Sequence, residues 1–115
     1  MNKPFTITGT LPDGTKHQVT LTQTAIDTAV ISDEFWAPGV QLPSKQSYQL
    51  SNIKHKGDTV TANLPRIFGF YTPTITLTLM ADYVQIQAPG HDMNYPISPA
   101  QRAEAETIIA NFPEG

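Results

Sequence analysis

The sequence predicts a mainly β chain: a bent barrel or roll of about seven antiparallel strands closed by one C-terminal α-helix. Three observations predict it. Apolar and polar residues alternate in tract after tract, most plainly in TITLTLMADYVQIQ (74–87), and a period of two marks a strand with one buried face. Ten prolines punctuate the chain, several between these tracts, where they end strands and set turns. One segment only, SPAQRAEAETIIANF (98–112), carries helix start and stop chemistry, and it follows the last strand.

The elements are justified in order. Phe5, Ile7, Gly9 and Leu11 alternate with Thr6, Thr8 and Thr10, a half-buried strand. Pro12-Asp13-Gly14-Thr15 is a turn, with proline preset at the first corner and glycine free to take positive φ. Alternation resumes at 18–22 with Val19 and Leu21 inward, completing a hairpin. Near Thr24 the inward parity is expected to change to Ile26, Thr28 and Val30, which requires a bulge, corner or short turn. The stretch from Phe35 to Pro43 reads as an irregular, aromatic connection.

A strand is expected over 46–53, with Tyr48 and Leu50 inward. Leu50 and Ile53 are out of phase, so that strand must kink near its end. Lys54-His55-Lys56-Gly57-Asp58 reads as a polar turn, and Val60, Ala62 and Leu64 as the next inward row. Residues 66–73 form a loop with three aromatics around Gly69. Ile75, Leu77 and Leu79 alternate next, Ala81-Asp82 turns, and Val84 and Ile86 follow; 94–97 is a last short strand. In the helix, Ser98 is the N-cap, Pro99 occupies the first turn, and Gln101 completes an S-x-x-Q capping box. Ala105, Ile108, Ile109 and Phe112 make the apolar stripe, and Pro113 and Gly115 stop it.

Composition limits the function classes. A chain of 115 residues is expected to form one domain (1–115) with a single core. With no cysteine, disulfides, thiolate-bound zinc and thiol nucleophiles are excluded. A net charge of −3, from 7 basic and 10 acidic residues, argues against a dedicated nucleic-acid binder. The opening MNKPFTITGT lacks the apolar run of a signal peptide, and no stretch reaches the ~20 apolar residues of a membrane span, so a soluble, cytoplasmic protein is expected.

Catalytic and metal-binding motifs are not found. His17, His55 and His91 fall at predicted turns near Asp13, Asp58 and Asp92, which suggests a metal site or acid–base pair. No ligand spacing such as H-E-x-x-H accompanies them, and solvated turn residues are the plainer account. The serines lack a G-x-S-x-G elbow, and no phosphate-binding glycine loop occurs. Asp33 and Glu34 are adjacent, so on an extended chain they point opposite ways and cannot act jointly. Lys54-His55-Lys56 is the densest basic cluster, too small beside Asp58 to form a strong field. The candidate binding residues are the aromatics of two Pro/Gly-flanked connections: Phe35 and Trp36, and Phe68, Phe70 and Tyr71. Exposed aromatic loops mark binding surfaces, while the same side chains also serve to plug barrel ends.

The succession VTLTQTAI, YQLSNIKHK, RIFGF, TITLTLMADYVQIQ and YPISPAQRAEAETIIANF resembles the bacterial pleckstrin-homology-like superfamily and the related GRAM domains. The likeness spans residues 17–112, with 49–53 matching the "ipLsdI"-type strand end and YPISP matching the run into the helix. It implies a two-sheet, strongly bent barrel capped by a C-terminal helix. The basic phosphoinositide signature is missing beyond Lys54 and Lys56, so neither the lipid-binding role nor any binding residue is carried over.

The expected function is a non-catalytic interaction or scaffold module. It would bind a protein or peptide through a strand edge or the aromatic loops, with no cofactor, no metal and no nucleic acid. Unpaired edges and low surface charge also allow homo-oligomers. The alternative is a barrel that holds a small ligand or lipid, which requires an apolar cavity of several hundred Å3. A third reading, an enzyme using His and Asp, requires the histidines to come together.

Overall fold

The computed structural model describes residues 4–66 and 69–115. Its strands are β1 (Phe5–Thr10), β2 (Lys16–Ala25), β3 (Thr28–Trp36), β4 (Ser44–Lys56), β5 (Thr59–Asn63), β6 (Thr74–Leu79), β7 (Tyr83–Ala88) and β8 (His91–Pro96). The helix α1 (Pro99–Ala110) follows. Each strand pairs antiparallel with the next, so the spatial order is the chain order from β1 to β8. The number is eight, where about seven were expected: the short tract at 94–97 begins earlier, at His91, and forms a full strand.

The sheet bends into a nearly closed barrel at β4. The first half of β4 pairs with β3, from Ser44 to Leu50, and the second half pairs with β5, from Ser51 to Lys56. Between them Asn52 takes φ 51°, and the register with β5 shifts between Ser51 and Lys54. That extra residue lets Leu50 and Ile53, at 2% and 1% exposure, both face the core, as their phase predicts. At the other side of the sheet β1 meets β8. A methyl group at Gly9 would sit 2.8 Å from Met93 Cε and 3.0 Å from Tyr95 Cδ2, so glycine is what allows this approach.

The core is the inner face of all eight strands. Phe5 and Ile7, Val19, Ala29 and Ile31, Val60 and Ala62, Ile75, Val84 and Ile86, and Met93 and Tyr95 are all buried. One expected parity is corrected. The register shift between Gln23 and Ala25 and the turn at Ile26-Asp27 put Ala29 and Ile31 inward, not Ile26, Thr28 and Val30; Ile26 is exposed. One connection and one turn are also corrected. β3 runs through Phe35 and Trp36, whose partners Ser44, His17 and Lys16 hold them in the ladder. β4 likewise carries Lys54, His55 and Lys56 as strand, leaving only Gly57-Asp58 to turn.

The helix closes one end. Ser98 caps it: its hydroxyl accepts from the Gln101 amide at 3.2 Å, and the Ser98 amide donates to Gln101 Oε1 at 2.8 Å. Gln101 Nε2 donates to the Thr6 carbonyl at the start of β1. Arg102 reaches Asp58, in the β4–β5 turn, at 3.8 Å. Beyond the helix, the His55 amide donates to the Pro113 carbonyl and the Gly115 amide to the His55 carbonyl, both at 2.8 Å. The expected stripe holds: Ala105 and Phe112 are buried, and Ile108 and Ile109 pack partly buried against the same core. This end is where β1 begins and β4 finishes. In an up-and-down barrel the opposite end therefore gathers the end of β1 and β3 and the start of β2, β4 and β8. Among the described residues no helix crosses that end.

Candidate binding site at the open end

Towards the open end the inward rows change character. Following β2 from Val19 by two leads to His17; following β3 from Ile31 leads to Asp33 and Phe35. The β4 row runs from Leu50 through Tyr48 to Gln46, and the β8 row from Tyr95 through Met93 to His91. Aliphatic side chains fill the middle of the barrel, and polar and aromatic ones fill its mouth. The mouth is a cavity of about 440 Å3. Val19, Ile31, Ile75 and Ile86 form its walls, and Asp33, Gln46, Tyr48, Tyr71 and His91 stand around its opening.

A compact polar cluster lies beside this cavity. His17 Nδ1 is 3.0 Å from one Asp33 oxygen and 3.2 Å from the other. An ionised carboxylate only accepts, so Nδ1 carries the proton and donates to both. The two side chains are 12% and 24% exposed, so the pair is partly shielded from bulk water. Phe35 stacks on the His17 ring with centroids 5.5 Å apart. The His91 ring stands edge-on to His17 at 6.0 Å, and its Nε2 is 3.0 Å from the hydroxyl of the fully buried Tyr95. Burial pushes the His91 pKa below its ordinary value, and the charge of Asp33 opposes this. Burial, and secondarily the same Asp33 charge, push the Tyr95 hydroxyl well above the usual phenol range.

The histidines thus correct the sequence reading. All three lie in strands, not in turns. His17 pairs with Asp33, sixteen residues away, rather than with Asp13. His17 and His91 come together, while His55 sits at the helix end, its amide and carbonyl bonded to the C-terminal tail. Asp33 and Glu34 point opposite ways as expected: Glu34 faces outward towards Lys45 at 3.8 Å. Among the described residues no group of three or more His, Asp or Glu side chains is arranged to hold a metal ion.

The candidate aromatics separate into three places. Phe35 is inside, stacked on His17. Trp36, one residue on, faces the other side of the sheet. There it lines a groove of about 890 Å3 with Thr8, Thr10, Gln18 and Asn94, under the turn that follows β3. Phe70 and Tyr71 stand on the loop after β5, at 83% and 48% exposure. Phe68 lies outside the described residues. The outer groove is the larger space, but its walls are mostly exposed or half-buried polar strand faces. The mouth has buried aliphatic walls and a few convergent polar groups, the usual make-up of a ligand site. Among the described residues five of the seven exposed large apolar side chains (Val40, Leu42, Tyr48, Phe70 and Tyr71) also belong to this end, on β4 and the loops after β3 and β5. The other two, Ile26 and Met80, are at the helix end.

Sequence reasoning missed His17, Asp33 and His91 as a cluster. The available signal was the alternation itself, which runs unbroken from Val19 into His17 and from Ala29 through Ile31 to Asp33. Compared with protein-family models, with curated proteins and with solved structures, the chain finds no match.

Proposed function

We propose that this protein is a non-catalytic binder of a small, largely apolar molecule, held in the open mouth of the barrel. The observation that carries the reading is the 440 Å3 cavity walled by Val19, Ile31, Ile75 and Ile86 at the end without the helix. Its volume lies within the ~300–1,000 Å3 of ordinary ligand pockets, and apolar walls with few polar groups favour transfer of an apolar body from water. The helix seals the far end, so ligand enters and leaves past the loops after β3 and β5. We further read the bent barrel with its C-terminal lid as a PH-like roll with an eighth strand. Supporting this are the long kinked β4 shared between the two halves and the strand that runs directly into the capped helix.

The exposed rim favours a second reading, in which Leu42, Phe70 and Tyr71 dock a protein or peptide and the cavity is incidental. Calorimetric titration with 1-naphthalenemethanol, a neutral apolar probe, separates them. Wild type is expected to bind it, and Ala88→Trp, which fills the half-buried cavity wall at the end of β7, is expected not to. No binding by wild type at millimolar probe, or equal binding by the variant, would remove the ligand reading and leave the rim.

A further inference from the structure

Resting on the reading of the mouth as a ligand site, we infer that the ligand is a hydrophobic amine, its protonated nitrogen on Asp33 and its apolar body between the aliphatic walls. The argument rests on the one carboxylate that lines the cavity and its spare acceptor capacity. Asp33 is the only Asp, Glu, Lys or Arg among the described residues lining the cavity. A single N–H, that of His17, serves both its oxygens, and an ionised carboxylate offers roughly four lone-pair directions, so acceptor capacity is left facing the cavity. Tyr48 gives its hydroxyl proton to Gln46 Oε1, which leaves the phenol oxygen as an acceptor too. His91 and Tyr95 share one hydrogen bond between themselves. Neutral donors remain at the mouth as well, on the Gln46 amide nitrogen and on the His91–Tyr95 pair, so it is the charge of Asp33 that has to decide the ligand class.

The charge balance decides. Among the described residues no Lys or Arg lines this cavity, and His17 is already committed to Asp33, so a carboxylate ligand would bring a second anion into a half-desolvated site with no free cation to offset it. An ammonium meets the opposite situation. It gains a partly buried carboxylate, in a cavity also lined by Tyr48 and Tyr71, aromatic rings of the kind that attract cations. Fatty acids and other apolar carboxylates are therefore the class this mouth rejects. A neutral apolar alcohol is tolerated through the walls alone.

Three probes that share one ring system and differ in head charge test this: 1-naphthalenemethylamine, 1-naphthalenemethanol and 1-naphthoate, each titrated by calorimetry at neutral pH and low salt. The amine is expected to bind about tenfold tighter than the alcohol and the carboxylate weakest, a tenfold step being about 1.4 kcal/mol. Asp33→Asn keeps an acceptor for His17 and removes the charge. It should bring amine and alcohol to within about threefold, chiefly by weakening the amine. If the alcohol or the carboxylate binds as tightly as the amine, or Asp33→Asn leaves the ranking intact, the amine assignment is overturned and the mouth remains a ligand site. If no probe binds, both readings fall. Should Asp33→Asn not fold by circular dichroism, the wild-type ranking decides alone.

Discussion

Phe112→Ala tests whether the C-terminal segment is a lid that the barrel depends on. Within α1 itself only Ala105 is buried, and Ile108 and Ile109 are partly so. Phe112, just past the helix and 3% exposed, is therefore the principal apolar anchor. A buried aromatic removes about 150–250 Å2 from water, worth roughly 4–6 kcal/mol at about 25 cal/mol/Å2. Truncation to alanine retains the β-carbon, so the expected loss is about 3–5 kcal/mol. Against the ~5–15 kcal/mol of an ordinary domain, that leaves a marginal fold. Urea denaturation followed by circular dichroism measures it, with Ile26→Ala as control. Ile26 is 71% exposed in the β2–β3 turn, and its loss should stay within about 0.5 kcal/mol. A loss below about 1 kcal/mol for Phe112→Ala would mean that the segment rests on the barrel without closing it.

Two further outcomes concern the bend and the mouth. Asn52 holds left-handed backbone at φ 51° with an exposed side chain, so Asn52→Gly should be neutral or slightly stabilising and Asn52→Val should cost about 1–2 kcal/mol or more. Equal stabilities for the two variants would show that the kink carries no backbone strain. His91 is held below its ordinary pKa of 6.5 by burial, so the unfolded chain takes up its proton first. The stability it contributes is complete above that value and is lost as pH falls through the window beneath it. The stability of wild type relative to His91→Gln should therefore shrink from about pH 7.5 to 5, and a difference that stays constant or grows would contradict the burial argument.

Much of the fold was legible because its signals are local. Period-two alternation is set by the pleat. The Ser98-Pro99-Gln101 cap is written within four residues, and the kink in β4 shows in the spacing of Leu50 and Ile53. The site was hidden because its signals are not local. His17 meets Asp33 only through the β2–β3 register, in which Val19 faces Asp33 and His17 faces Phe35. A one-residue error in parity after Thr24 was enough to turn Asp33 outward on paper. Pro38-Gly39 made the preceding aromatics look like loop, although the ladder with β2 carries them two residues further as strand. His91 joins the cluster only because the barrel nearly closes, with Gly9 letting β1 and β8 approach. None of these three facts is contained in a window of the sequence.

The central claim is that the mouth of the barrel, not its rim or its outer groove, is where a small molecule sits. Methyl chemical-shift mapping during titration with 1-naphthalenemethanol tests it most directly. The predicted result is saturable shifts at Val19, Ile31 and Ile86, with Ala105 and Ile109 on the helix unmoved. Shifts confined to Val40, Leu42 and the Trp36 side, with the cavity methyls unmoved, would contradict it.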